Sequence, residues 1–187
     1  MKNSTGVTVF HKTSPQKNVL KDLIHLSKWM EGNKTTPFSF VESQTSLIPN
    51  LSLFENLQLE VGTLNWELYK KSQPSIYHNL MNLITNPDKS TQASHAHEKF
   101  IISLLKGISG PAQYLLIDCQ EVGLSPFVIK SLKESLMKAS LTKSLVIGTS
   151  HPSLWLDCAH RIVKRQENQE FHIEQLDAET VKKHWAA

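Results

Sequence analysis

YLLIDCQEVGLSP, Tyr114 to Pro126, and LVIGTSHPS, Leu145 to Ser153, decide the architecture of this chain. In the first stretch an apolar run stops at Asp118 and a turn follows. Ser125 then supplies a helix N-cap and Pro126 the first helical position, which predicts a helix over Pro126 to Ala139. Its apolar positions Phe127, Ile129, Leu132, Leu136 and Met137 do not share one stripe, so the helix reads as buried on more than one side. In the second stretch a strand over Leu145 to Thr149 ends in small polar residues. Asp118 stands at the C-terminal end of a buried strand, the place where ligands bind in open α/β sheets. A structural cap or turn residue is the alternative role for it.

Working outward, Val7 to Phe10 is short, apolar and β-branched, and reads as a buried strand. His11 to Gln16 is polar, and Lys17 to Met30 carries apolar residues at helical spacing, stopped by Gly32-Asn33. Phe38 to Val41 is a second strand, followed by a loop over Ser43 to Leu59 with a short helix near Leu53 to Leu57. Leu64 to Lys71 and Ser75 to Ile84 read as short helices, Asn86 to Ser94 as an exposed polar stretch, and His97 to Ile108 as a helix. After Thr149 come a short helix over Pro152 to Ala159 and strands over Arg161 to Lys164 and Phe171 to Ile173. Glu167-Asn168 reads as the turn between those strands, and Ala178 to His184 as a terminal helix. Strands alternating with helices predict an α/β domain on a mainly parallel sheet. All of 1–187 reads as one domain, with a helical subdomain at about 57–108.

Composition narrows the class. The chain has 187 residues, 40% apolar and 20% charged, the profile of a soluble globular domain large enough to bury a full core. A net charge of +3 with no basic run argues against nucleic acid as a partner. No apolar stretch is long enough to cross a membrane, and MKNSTGVTVFHK lacks the apolar core of a signal peptide. Cys119 and Cys158 lie in apolar or structured surroundings, which fits a reducing compartment better than a disulfide scaffold. No metal site is expected, because His95 and His97 form a lone H-x-H without further ligands.

The order of these segments resembles the ABC-type ATPase domain, a P-loop NTPase-like fold, over most of the chain from Val7 to about Gln175. YLLID resembles its Walker B strand, and LVIGTSHPS with LWLDCAHRIV resembles its switch-histidine strand and the segment beyond. SLIPNLSLFENL, Ser46 to Leu57, is similar to the segment following the family's Q-loop. The chemistry departs from the family motif by motif. In a P-loop, glycines let backbone N–H groups wrap the phosphates while a lysine and a hydroxyl reach the outer phosphates and Mg²⁺. Here the corresponding loop is HKTSPQKNV, His11 to Val19, with Lys17 in the lysine's place, Asn18 in the hydroxyl's and no glycine. An ordinary surface lysine at a helix start is the other reading of Lys17. The Q-loop position falls on Ser43, with Gln44 one residue late, and the signature position holds SHAHEK, Ser94 to Lys99, in place of LSGGQ. Cys119 stands where the family has its catalytic glutamate, and Ser150 stands at the switch-histidine position, with His151 one residue late.

The resemblance thus implies an ABC ATPase-like sheet without intact Walker A, signature or catalytic glutamate. It also implies the absence of the antiparallel strands that precede Walker A in the family. No residue is expected to be catalytic. If nucleotide binds, Lys17, Asn18, Gln44, Asp118 and His151 would hold ATP and Mg²⁺, although no cofactor is expected. The implied role is a structural or regulatory subunit of a membrane-associated transport or envelope complex. The chain would be cytoplasmic, or peripheral on the inner face of the membrane through its partner. That partner would be a true ABC ATPase subunit, in a homo- or heterodimer, or a membrane permease docking near Leu47, Ile48, Leu51, Leu53 and Phe54. Those five residues also read as a plain core loop. The alternative is a divergent ATP-binding subunit that still binds or hydrolyses ATP.

Overall fold

The computed structural model describes residues 5–11, 19–30, 37–42, 47–62, 65–119, 124–165 and 170–176. Six strands form one sheet: β1 (Gly6–His11), β2 (Phe38–Val41), β3 (Tyr114–Asp118), β4 (Ser144–Thr149), β5 (Arg161–Arg165) and β6 (Phe171–Gln175). Their spatial order is β2-β3-β4-β1-β5-β6. The neighbours from β2 through β5 run parallel, and β6 alone pairs antiparallel, with β5.

Alternation along the strands explains why the central ones read as unbroken apolar runs. Val7, Val9, Leu115, Ile117, Leu145 and Ile147 point into one core, shared with residues of the helices on that side. Phe10, Leu116 and Val146, each one residue out of phase with them, point into a second core with Leu23, Leu26 and Phe171. Side chains that change face at every residue must be apolar at every residue when both faces are covered.

Helix α1 (Val19–Met30) covers the second face, burying Leu23 and Leu26. The first face takes α2 (Leu53–Val61), α5 (Ala96–Ser109) and α6 (Pro126–Ala139), with the short α3 (Trp66–Ser72) and α4 (His78–Met81) beside them. Leu53, Leu57, Ile101 and Leu105 join the same core as Val41 and Leu115. Helix α5 approaches closely at Gly107, where an added Cβ would come within 3.0 Å of Val41 Cγ2 and 3.1 Å of Leu115 Cδ2.

Helix α6 begins as its sequence dictates, with the Ser125 hydroxyl accepting from Val128 N–H at 3.3 Å. It is buried along a single stripe, contrary to the expectation of burial on several sides. Val128, Ser131, Leu132, Ser135, Leu136 and Ala139 face inward, while Phe127 and Met137 are exposed. Two serines and an alanine complete the stripe, and their small size hides it from an apolar count. The expected helix over Ser75 to Ile84 is shorter, a 3₁₀ turn at Ser75–Tyr77 running into α4. The predicted Glu167-Asn168 turn and Ala178 to His184 helix lie outside the described residues.

One buried carboxylate ties the entry of α5 to its surroundings. Glu98 is fully buried and accepts from Thr85 N–H at 3.2 Å, the Thr85 hydroxyl at 3.0 Å and His95 N–H at 3.0 Å. Burial by itself would raise its pKa. The donors at His95 and Thr85, with the nearby His97, outweigh burial and hold the carboxyl below its ordinary value. A depressed folded pKa contributes stability above the ordinary glutamate range of about 4.3, and that stability is lost as pH falls through the folded value. Glu98→Gln is expected to cost about 1–3 kcal/mol at neutral pH in urea unfolding. The gap to wild type should shrink on acidification, and a gap independent of pH would contradict this assignment.

Candidate functional site

The C-terminal ends of β1, β3 and β4 meet at one edge of the sheet. Gly148 on β4 pairs with Asp118 on one side and Phe10 on the other, and Thr149 pairs with His11. Asp118 is therefore placed at the mouth of three adjacent parallel strands, where an open α/β sheet presents its ligand site.

The residue after it is turned inward. Cys119 N–H donates to the Gly148 carbonyl at 3.0 Å, continuing the β3–β4 ladder by one residue. Its side chain is 1% exposed and belongs to the apolar core on the α5–α6 face. Cys158 is buried in the same core, its thiol donating to the Trp155 carbonyl at 3.2 Å, and burial pushes its pKa up to about 12. Ser150 and His151 are both exposed beyond the end of β4. The fully buried Thr149 spends its hydroxyl locally, accepting from His151 N–H at 2.9 Å. Among the candidate nucleotide-binding residues, the structure brings Asp118 and His151 to this edge. Lys17, Asn18 and Gln44 lie outside the described residues. His95 and His97 stack with ring centroids 5.6 Å apart, and among the described residues no three His, Cys, Asp or Glu side chains gather as a metal site.

The five residues read as a docking patch divide. Leu47, Leu53 and Phe54 are core residues, at 7%, 0% and 5% exposure, and cannot present a surface. Leu51 is half-buried and Ile48 is exposed. The buried residues join the main core, and at the start of α2 every backbone donor of the first turn is matched. Ser52 N–H donates to Glu55 Oε2 at 2.6 Å, and Glu55 N–H to Ser52 Oγ at 3.1 Å, a capping box. Leu53 and Phe54 N–H donate to the carbonyls of Lys89 and Pro87 at 3.0 and 2.8 Å. Beneath them the fully buried Asn56 accepts from Ile48 N–H at 2.7 Å, and its two amide hydrogens are shared among the Ile48 and Ser52 carbonyls, each at 3.0 Å, and Thr91 Oγ1 at 2.9 Å.

The stretch Asn86 to Ser94, expected to be exposed, is so at Asn86, Asp88, Ser90, Gln92 and Ala93, but this knot buries two of its residues. Thr91 and Ser94 are buried, and Ser90 bridges antiparallel to Ser52. Sequence reasoning missed the capping box, although Ser52-x-x-Glu55 ahead of an apolar run is its signature. It had no signal for Asn56, which ties the nearby Ile48 and Ser52 to Thr91, far along the chain. Asn56→Ala is expected to lower unfolding stability by about 2–4 kcal/mol, because the Ile48 N–H and the Thr91 hydroxyl lose their partner inside the protein. A loss below about 1 kcal/mol in chemical denaturation would show that water replaces the amide at no cost.

No protein-family model and no curated protein matches this sequence. Solved structures do match the fold. One is a chain of a metal-chelate type ABC transporter in an inward-facing conformation, with TM-score 0.63 and 11% identity, covering 98% of this chain and 79% of that one. Another is described as RNase-L inhibitor, with TM-score 0.67 and 11% identity, and there 98% of this chain spans 37% of the other. At that identity the likeness speaks for the fold alone: among the described residues, a mainly parallel six-stranded sheet flanked by helices, similar to that of the ABC transporter chain.

Proposed function

We propose that this chain is a catalytically degenerate ABC ATPase-like subunit that acts by binding a partner, as a structural or regulatory component of a membrane-associated transport or envelope complex. The observation that carries this reading is Cys119. At the place where the ABC-type motif has its general base, the chain puts a thiol that is 1% exposed and packed in the core. A thiol so placed has no access to a water molecule and little basicity toward one. Loss of general-base help alone slows such a reaction by about 10²–10⁴-fold. The glycine-free loop before α1 supports the same reading from the sequence. Among the described residues no helix is long and apolar enough to cross a membrane, so association with a membrane would run through the partner. That partner is an ABC ATPase subunit or a permease, and the compartment is the cytoplasmic face.

The second reading, a divergent subunit that still handles ATP, is favoured by Asp118. Its carboxylate stands at the end of β3 beside Gly148, where it fits the role of orienting Mg²⁺, and His151 stands at the same sheet edge. Phosphate release from Mg²⁺·ATP by the purified chain separates the two. The first reading predicts a rate equal to buffer, unchanged in Asp118→Asn. Turnover that disappears in Asp118→Asn would carry the second.

Cys119→Glu tests the burial itself. A carboxylate forced into this core is expected to cost about 2–4 kcal/mol in thermal or urea unfolding without yielding turnover. A stable Cys119→Glu variant that hydrolyses ATP would mean that this position opens to the nucleotide.

A further inference from the structure

Helix α6 meets the core with one face and leaves the opposite face open. Along that open face Phe127, Lys130, Glu134 and Met137 recur at steps of three, four and three residues, the a/d repeat of a helix seam. Leu141, in the turn beyond the helix, continues the repeat. Phe127, Met137 and Leu141 are three of the eight large apolar side chains that the described residues expose. Gathered on one helix they form a patch, unlike the scattered single residues of an ordinary surface. Lys130 is exposed and Glu134 half-buried, and among the described residues neither makes an ion pair or a side-chain hydrogen bond. Lys133, at the border of the seam, is held aside by Asp157 at 2.9 Å.

The seam is complementary to itself when reversed. Two copies of α6 laid antiparallel, with a two-fold axis level with Leu132, set Phe127 against Met137 and Lys130 against Glu134, each pair twice. Leu141 then flanks the Phe127 of the second copy, because residues four apart share a helix face. Charge selects this register. An antiparallel pair shifted to set Phe127 against Leu141 brings Glu134 onto Glu134, and a parallel pair in register brings each charge onto its like. The carboxylate of Glu134 in the middle of the stripe also disfavours an anionic lipid surface as the occupant.

We propose that α6 is the seat of a two-fold dimer of this chain, in which Phe127, Lys130, Glu134 and Met137 pair antiparallel with the same residues of a second copy. The contact uses the helix face turned away from the core, and no residue of the strand-end edge that carries Asp118. Such a dimer stands independently of the partner proposed above, and whether or not the chain turns over ATP.

Sedimentation equilibrium of the full chain is the test. One helix from each copy makes a small interface, so a weak dimer in concentration-dependent exchange with monomer is expected. Lys130→Glu and Glu134→Lys should each weaken it by roughly tenfold or more, because like charges then face each other twice. A variant carrying both changes should dimerise as wild type does, and so should an equimolar mixture of the two single variants. Phe127→Ala should weaken the dimer at constant charge. Glu67→Lys, on α3, makes the same change of net charge as Glu134→Lys and should leave the dimer unaltered. Circular dichroism melts establish that each variant is folded. The proposal is overturned by a chain that stays monomeric up to millimolar concentration, by single variants that dimerise as wild type does, by a double variant or a mixture that fails to recover, or by an equal loss in Glu67→Lys. A monomer that floats with anionic vesicles and loses this in Lys130→Glu would also overturn it, and would assign the stripe to a membrane surface.

Discussion

A sheet covered on both faces is the constraint on which this fold depends. Every residue of β3 is buried, and β1 and β4 are buried along nearly their whole length. Such strands have almost no room for polar chemistry within their span. Polar groups are displaced to the strand ends, which is why Asp118, Thr149 and His11 gather at one edge of the sheet. The same constraint assigns α1 to one face and α2, α5 and α6 to the other, because each strand face needs apolar cover.

Below that level, polar knots set where helices begin. Asn56 and the Ser52–Glu55 box bind the 47–52 loop, the start of α2 and the 87–91 segment into one unit. They give a physical reason for the residues of SLIPNLSLFENL at these places. Serine, glutamate and asparagine at these places satisfy backbone groups that burial would otherwise strand. The segment's resemblance to active ATPases is thus accounted for by folding, and it carries no information about turnover. Cys119 is the converse case. There the backbone ladder is kept through the bond to Gly148, and the side chain has been absorbed into the core.

Much of this was legible in the sequence because it rested on local signals. Continuous apolar runs located β3 and β4, and Ser125-Pro126 located the start of α6 within a residue. What was not legible depended on contacts across the chain. Leu47, Leu53 and Phe54 form an apolar cluster in sequence that serves a docking surface or a core equally well. Their packing against the helices and strands of the main core decides it. Phe127 and Met137 looked buried by residue type, yet the stripe that meets the sheet is completed by Ser131, Ser135 and Ala139. Of the candidate site, the strand ends could be placed from sequence.

The central claim is that an ABC ATPase-like scaffold has been kept while its nucleotide chemistry has been lost. Calorimetric titration of the purified chain with Mg²⁺·ATP, at protein concentrations sensitive to millimolar affinity, tests it most directly. The account predicts no heat of binding beyond dilution. Saturable binding in the micromolar range would mean that the loop before α1 still cradles phosphates, and would contradict it.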